Sequence, residues 1–384
     1  MGSKGRWILA VAAAALLLVA GCNKEVQPQM SETDFTDSLT TYSSDVGTVF
    51  NEAGQDLLWL ALGAMPADAP IYASLGNVGV LLGALDVNQA SPEGLIRLMG
   101  GVGALADQNL LTGRWVYDPT IPGWVEDNTY SGDDLVLVWD FQDLDSNDHV
   151  AELTFDWNYG GVPTVEVTNP DGTTAEVPQD MNVTLAIDYN TTPAGQLRVQ
   201  ASWYSSAACG TIAEPSQLTV SGEGGASNHV GFNVNVSVSD TRVATSGHFE
   251  VSSGSDSSSF DWNVYADGQL TRGADCFAED FDADSGHINF RTSETVGGDT
   301  SSFEFNTDFS LNFDAATQEI VSADLSNGYI KVNGAVAVTF SGTLDDSNHN
   351  CVPGENVTLN FADRSTSLES YLINEWGETP GSCP

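Results

Sequence analysis

Basic residues are scarce in this 384-residue chain. Eleven lysines and arginines stand against 53 aspartates and glutamates, which gives a formal net charge of −42, and lysine itself occurs three times. Proteins bind nucleic acid and anionic lipid surfaces largely through lysine and arginine, because these side chains neutralise phosphate. The composition therefore predicts no nucleic-acid partner and no charge-driven attachment to a membrane.

The chain also lacks the motifs of the common enzyme classes. It contains no G-x-S-x-G, no HExxH, no Walker A motif and no G-x-G-x-x-G, so nothing in it indicates the sites that those motifs build. Its five histidines stand beside Asn, Asp, Ser or Gly at predicted strand ends. Among 53 acidic residues, pairs of carboxylates arise by chance and mark no catalytic site. We therefore predict a non-catalytic protein without catalytic residues.

The first 22 residues are a short basic start followed by an apolar run. Lys4 and Arg6 precede residues 8–20, which are uninterruptedly apolar. This run is shorter than the roughly 20 residues of a membrane-spanning helix and typical of a signal peptide. Its end, Leu-Val-Ala-Gly-Cys at 18–22, resembles the lipobox of bacterial lipoproteins. The resemblance implies removal of residues 1–21, lipidation of Cys22 and acylation of the new amino terminus. An ordinary secretory signal with a chance cysteine is the alternative.

Residues 22–30 are predicted to be the lipidated cysteine and a tether. Two or three acyl chains anchor a protein stably, whereas one chain binds only marginally. Asn23 follows the cysteine where aspartate would favour inner-membrane retention, so the resemblance to enteric-type lipoproteins implies the outer membrane. The sequence thus predicts a cell-envelope protein that contacts the membrane through its lipid anchor, with its other envelope partners undetermined.

Four cysteines remain once Cys22 is assigned to lipid. An even number in an exported chain indicates two disulfide bonds, with three possible connectivities. Pairing of sequence neighbours is favoured, which gives Cys209–Cys276 and Cys351–Cys383. A zinc site is the rival interpretation, but the chain has no CxxC spacing.

The mature chain divides into a helical part and a β part. Residues 31–112 contain three segments that are apolar round most of their circumference, which predicts buried helices. In residues 113–384 the apolar residues recur with period two, which is typical of antiparallel strands with one dry face. We predict a mainly β fold built on a large antiparallel domain. Its apolar faces are buried either in a sandwich or in one curved sheet with the helices packed on its apolar face, the arrangement we favour.

One acidic cluster is a candidate metal site. Asp280, Asp282 and Asp284 alternate along the chain before Ser285 and Gly286, and aspartates on a loop can converge on calcium. The EF-hand pattern fails here, because its sixth and twelfth positions are Ser285 and Arg291. Calcium is thus the one cofactor that the sequence suggests, and a solvated acidic turn is the alternative.

The sequence as a whole indicates a lipid-anchored envelope protein with a structural or interaction role at the surface. A carrier or chaperone that holds an apolar, lipid-like ligand between the curved sheet and the helices is the second interpretation. The carrier requires an unfilled apolar cavity, whereas the structural protein requires a filled core.

Overall fold

The computed structural model describes residues 112–156, 164–169, 172–177, 179–189, 193–225, 228–313, 320–348 and 350–375, together with residues 21, 22, 61 and 64. Apart from residues 21, 22, 61, 64 and 112, the predicted signal peptide, the segment 22–30 and the predicted helical segment 31–112 lie outside these described residues.

The described residues form nineteen strands and one helix. The bounds are β1 Gly21–Cys22, β2 Gly113–Asp118, β3 Gly123–Glu126, β4 Leu135–Gln142, β5 Asp148–Asp156, β6 Val165–Thr168, β7 Thr174–Val177, β8 Asp180–Ile187, β9 Gly195–Ser206, β10 Gly210–Gly224, β11 Asn228–Ser239, β12 Arg242–Ser253, β13 Asp256–Arg272, β14 Ala278–Val296, β15 Asp299–Phe313, β16 Ile320–Val332, β17 Ala335–Leu344, β18 Asn356–Asn360, β19 Ser365–Ser367 and α1 Leu368–Glu375.

Sixteen of the strands form one continuous ladder. Their order is β3-β2-β4-β5-β8, followed without interruption by β9 to β19, and every neighbour is antiparallel except β2 and β4, which run parallel. The β6–β7 hairpin touches β10 through one parallel pair, and β1 pairs with β16. No pairing joins β3 to β19 among the described strands, so the sheet is open. The predicted β fold is confirmed as one large mixed sheet rather than a purely antiparallel one.

The side chains of this ladder separate into an apolar face and a polar face. Successive side chains of a strand point to opposite faces, and directly paired residues share a face. The apolar residues of neighbouring strands pair with one another from β4 to β18, for example Leu153 with Leu185 and Phe290 with Phe305. The alternation in the sequence thus becomes one apolar surface that crosses the whole sheet.

Glycines on the apolar face lie directly opposite aromatic residues. An ideal Cβ built on Gly247 would lie 2.2 Å from Cζ2 of Trp262 and 2.5 Å from the backbone oxygen of Asn233. The ring of the neighbouring strand therefore occupies the space that a side chain would take, as in the aromatic rescue of strand glycines. The pattern recurs on four strand pairs: Gly222 with Phe232, Gly247 with Trp262, Gly286 with Phe309, and Gly328 with Phe340.

The buried residues form two main clusters on this face. The larger one extends from β10 to β18 and includes Leu368, Tyr371 and Leu372 of α1. The smaller one lies on β4, β5 and β8 and includes Ala61, which is 0% exposed. The Nε1 of Trp139 donates a hydrogen bond to the carbonyl oxygen of Ala61 at 3.1 Å. A residue of the predicted helical segment therefore lies against the apolar face.

The helix α1 corrects the prediction of an all-β C-terminal domain. Ser367 begins it by accepting a hydrogen bond at Oγ from the backbone nitrogen of Ser370 at 3.1 Å, which is an N-cap. Glu369 in the first turn complements the helix dipole. The helix buries Leu368 against the sheet, so the apolar residues after Phe361 follow helical rather than strand spacing.

Candidate functional site

Cys22, the predicted lipidation residue, pairs through its backbone with Asn327 of β16. Its side chain is outside the described residues, so its lipidation stays a prediction.

A disulfide bond joins Cys209 to Cys276, which confirms one of the predicted pairings. The bond links the turn between β9 and β10 to the turn between β13 and β14. Cys351 is also disulfide-bonded, and its partner lies outside the described residues. Pairing of Cys351 with Cys383 therefore remains a prediction.

An ion pair supports the same link between hairpins. Nη1 of Arg272 lies 2.8 Å from Oε1 of Glu214, and both side chains are largely buried. The same guanidinium donates to the carbonyl oxygen of Cys276 at 2.9 Å and lies over the ring of Tyr204 at 3.6 Å. The β11–β12 hairpin lies between the β9–β10 and β13–β14 hairpins and ends near this point of the sheet. The two longer hairpins extend past its end, where the disulfide bond and the ion pair join them.

The candidate calcium residues Asp280, Asp282 and Asp284 lie in β14, so the prediction of a loop there is wrong. Phe281 and Ala283 between them are 4% and 6% exposed, which is the burial alternation of a strand. Residues two apart in a strand lie roughly 7 Å apart, since the rise is about 3.4 Å per residue. Among the described residues, no group of three or more His, Cys, Asp or Glu is placed to hold a metal ion.

His149 forms a charged network between β5 and the end of β8. Its Nδ1 lies 2.8 Å from Oδ2 of Asp188, and its Nε2 lies 3.3 Å from Oδ2 of Asp143. The hydrogen bond with Asp188 is the largest cause that raises the pKa of His149. Asp143 also accepts hydrogen bonds from Asn147. The bond from the Asn147 side chain is the largest of the causes that lower the pKa of Asp143 to about 2. This network fastens the turn that follows β4 to the end of β8.

The network predicts a loss of stability as the pH rises. A histidine whose pKa is raised by folding stabilises the protein below its unfolded pKa of about 6.5, and this contribution is lost as the pH passes the folded pKa. We therefore expect the unfolding free energy to fall from about pH 6 to pH 8, and His149→Gln to weaken this dependence. Urea titrations at several pH values measure it. Asp188→Asn should flatten the same range, and an unchanged pH profile in both variants would refute the role of this pair.

A row of polar side chains crosses the other face of the sheet. Each of the twelve strands from β8 to β19 contributes one residue to it at the same register. We call it the polar row: Asp180, Gln200, Thr219, Asn235, Ser246, Asn263, Asn289, Asn306, Tyr329, Thr339, Asn360 and Ser365. Neighbouring strands lie about 4.8 Å apart, so the row places polar groups, mostly amides and hydroxyls, at regular intervals, although Asp180 and Thr339 are buried.

Some members of the polar row form hydrogen bonds with one another, and others are exposed. Nε2 of Gln200 donates to Asp180 at 3.0 Å, and Nδ2 of Asn289 donates to Oδ1 of Asn306 at 3.2 Å. Asn263, at the centre of the row, is exposed. The row is therefore partly ordered by its own hydrogen bonds and still offers donors and acceptors to a partner.

A second row on the polar face alternates in charge. Register pairing aligns His248, Asp261, Arg291, Glu304 and Lys331 on five consecutive strands. Nδ1 of His248 lies 2.7 Å from Oδ1 of Asp261, and Nζ of Lys331 lies 3.0 Å from Oε2 of Glu304. Opposite charges on directly paired residues favour this register. The few basic residues of the chain thus offset the negative charge of acidic residues within the sheet.

Neither row could be predicted from the sequence. The alternation shows which residues share a face of one strand, but a row depends on the register of every strand pair. The sequence contains no signal that fixes eleven registers at once.

No protein-family model matches the chain, and neither a curated protein nor a solved structure matches it. Among the described residues, no helix combines the length and the apolar composition that crossing a membrane requires.

Proposed function

We propose that the protein is a non-catalytic, lipid-anchored lipoprotein of the cell envelope with a structural or interaction role. The polar row is the observation that carries the interaction role, because it aligns mostly amides and hydroxyls on neighbouring strands and includes the exposed residues Gln200, Asn263 and Ser365. The lipobox at 18–22 supports the lipid anchor on Cys22, and Asn23 after the cysteine supports an outer-membrane location. Nucleic acid is no partner of this acidic surface.

The anchor would hold the folded part of the chain close to the membrane. Residues 23–30 reach at most about 28 Å when fully extended. A surface presented from this position meets components of the envelope within a short distance of the bilayer. We therefore place the interaction at the membrane surface rather than in bulk solvent.

The helical segment 31–112 would cover the apolar face. Ala61 supports this, since it is buried in the same cluster as Trp139, Leu137 and Leu153. One face of a single sheet cannot bury its own side chains, so a second layer must lie over β4, β5 and β8. A filled core of this kind is what a structural protein requires.

The lipid anchor is tested by Cys22→Ser in the full-length chain. We expect the native protein to incorporate an alkyne-tagged fatty acid and to sediment with membranes, because diacylation gives stable binding. The variant should lose the tag and appear in the soluble fraction. Lys24→Gln is the matched control and should retain both properties. A variant that still sediments and still carries the tag would refute the assignment of Cys22.

The interaction surface is tested by photo-crosslinking in intact envelopes. A benzophenone amino acid at Asn263 should give an adduct with one envelope component, since this residue lies at the exposed centre of the polar row. The same residue at Leu144, which is 66% exposed in the turn between β4 and β5, should give none. Equal adducts at both positions, or none at Asn263, would contradict the proposal.

A carrier of an apolar ligand is the second candidate. It is favoured by rings on the apolar face that are only partly buried, namely Phe232, Phe260, Trp262 and Phe290. Phe260 stacks on Trp262 and on Phe290 with ring centroids 5.6 and 5.7 Å apart. An acyl chain lying on this aromatic strip would be the cargo.

A further inference from the structure

The β2–β3 hairpin forms one edge of the sheet and carries exposed apolar side chains. Among the described strands, β3 pairs with β2 alone. The described part of the chain has six exposed large hydrophobic residues, and three of them, Val116, Ile121 and Val125, lie in this hairpin. Val116 and Val125 are directly paired, so their side chains share one face of the sheet. An edge strand with exposed apolar side chains is a template on which another strand can pair.

The hydrogen bonds of the hairpin show which backbone groups of β3 point away from β2. The backbone nitrogen of Asp127 donates to the carbonyl oxygen of Arg114 at 2.7 Å. In an antiparallel ladder, every second residue directs its N–H and C=O groups to the same neighbouring strand. Val125 therefore directs its backbone groups towards β2, as Asp127 does. The N–H and C=O groups of Trp124 and Glu126 consequently point outwards from the edge of the sheet.

The outward carbonyl oxygen of Glu126 is only weakly held within the chain. It accepts a hydrogen bond from Nδ2 of Asn128 at 3.4 Å, a long distance for such a bond, and Asn128 is exposed. A partner strand can therefore displace this side chain. The other end of the ladder is different, since β19 consists of serine and threonine, Ser365–Ser367, and leads directly into α1. The apolar edge of the sheet is thus the one at β3.

The charge of this edge indicates what kind of strand it accepts. Residues 113–134 contain five acidic residues and one basic residue, Arg114. The guanidinium of Arg114 is already paired with Glu152 at 3.1 Å and with Asp127 at 3.6 Å, whereas Glu126 is exposed. A basic strand is therefore attracted to this edge. A second copy of the chain is repelled, because each copy has a net charge of −42.

We propose that β3 is a docking edge for an extended segment of another protein that has alternating basic and apolar residues and adds to the sheet as an antiparallel strand. Directly opposite residues of antiparallel strands share a face. The basic side chains of the segment then lie beside Trp124 and Glu126, and its apolar side chains lie beside Val125 on the other face. This edge is separate from the polar row of β8 to β19 and is a second interaction surface.

Binding of a synthetic peptide tests the docking edge. The probe is acetyl-Lys-Val-Lys-Val-Lys-Val-Lys-amide, titrated calorimetrically into the mature Cys22→Ser protein at about 0.15 M salt. N-methylation of the lysines removes the donors that face Trp124 and Glu126 and should weaken binding about tenfold or more. N-methylation of the valines keeps the charge and should leave the affinity unchanged, because their N–H groups point away from β3. No binding of the unmodified peptide, or any other order of the two methylated peptides, including equal affinity, would overturn the proposal.

A matched pair of protein variants locates the binding site. Val125→Lys places a positive charge beside the basic peptide and should weaken binding about tenfold or more. Val321→Lys is the same change on β16 at a residue of similar exposure, 49% against 43%, and should leave binding unchanged. Equal binding by both variants would overturn the proposal and leave the polar row untouched.

Sedimentation equilibrium of the protein without peptide distinguishes a second copy from a foreign strand. We expect a monomer, because the net charge opposes self-association. A dimer that Val125→Lys dissociates would show that the edge binds a second copy of the chain and would overturn the proposal.

Discussion

Gly247→Ala should destabilise the protein by about 3 kcal/mol or more, the upper part of the range for overpacking a well-packed sheet. The new Cβ would lie 2.2 Å from the ring of Trp262 and 2.5 Å from the backbone oxygen of Asn233. The ring could move only by leaving its stack with Phe260, and the backbone could move only by disrupting the ladder. Unfolding in urea, followed by tryptophan fluorescence, measures this loss.

Gly231→Ala is the matched control for this variant. Gly231 is also a β11–β12 ladder residue, but it lies on the polar face opposite Glu250. The atoms nearest to a new Cβ there belong to the side chains of Glu250 and His229 at 3.0 Å or more, and these side chains can shift. We expect a loss below about 1 kcal/mol, because only side chains that can shift lie close to the new Cβ. Comparable losses of unfolding free energy in both variants would show that the ring of Trp262 does not require a glycine at position 247.

Removal of the disulfide by Cys209→Ser and Cys276→Ser should lower the unfolding free energy by about 4 kcal/mol in the chain-entropy model. The reason is the sequence separation of 67 residues, because a longer loop releases more conformational freedom in the unfolded chain. The effect should be measured at neutral pH by urea unfolding of wild type and variant.

Arg272→Gln measures the contribution of the ion pair to stability separately from that of the disulfide bond. It removes the partner of the buried Glu214 while the disulfide remains, and breaking a buried pair is destabilising by about 3–5 kcal/mol. The triple variant should show coupling, since the guanidinium also bonds the carbonyl oxygen of Cys276. A loss below about 1 kcal/mol for the double serine variant would show that the hairpins hold together without the bond.

Much of the strand content could be predicted from the sequence, because strand alternation is a local property. The period-two pattern of Phe303, Phe305 and Phe309 reappears as β15, with Phe305 and Phe309 buried. The same rule, applied to Phe281 and Ala283, would have assigned the acidic cluster of 280–284 to a strand. The acidic residues suggested a loop instead, although solvent-facing positions of a strand tolerate them equally well.

Other features depended on contacts that no local pattern encodes. The parallel pairing of β2 with β4 follows from the course of the chain between them, not from either sequence. Likewise, the pairing of each glycine with an aromatic ring requires the register of two strands. The Cys209–Cys276 bond could be proposed because neighbouring cysteines are the simplest pairing, whereas the ion pair of Arg272 with Glu214 joins residues whose proximity depends on the hairpins.

We propose that the apolar face of the sheet is covered by the chain itself and not by a ligand. Native mass spectrometry of the mature Cys22→Ser protein, before and after denaturation, tests this most directly. We expect the mass of the chain alone in both spectra. Release of a stoichiometric lipid-like mass on unfolding would contradict it and would establish the carrier instead.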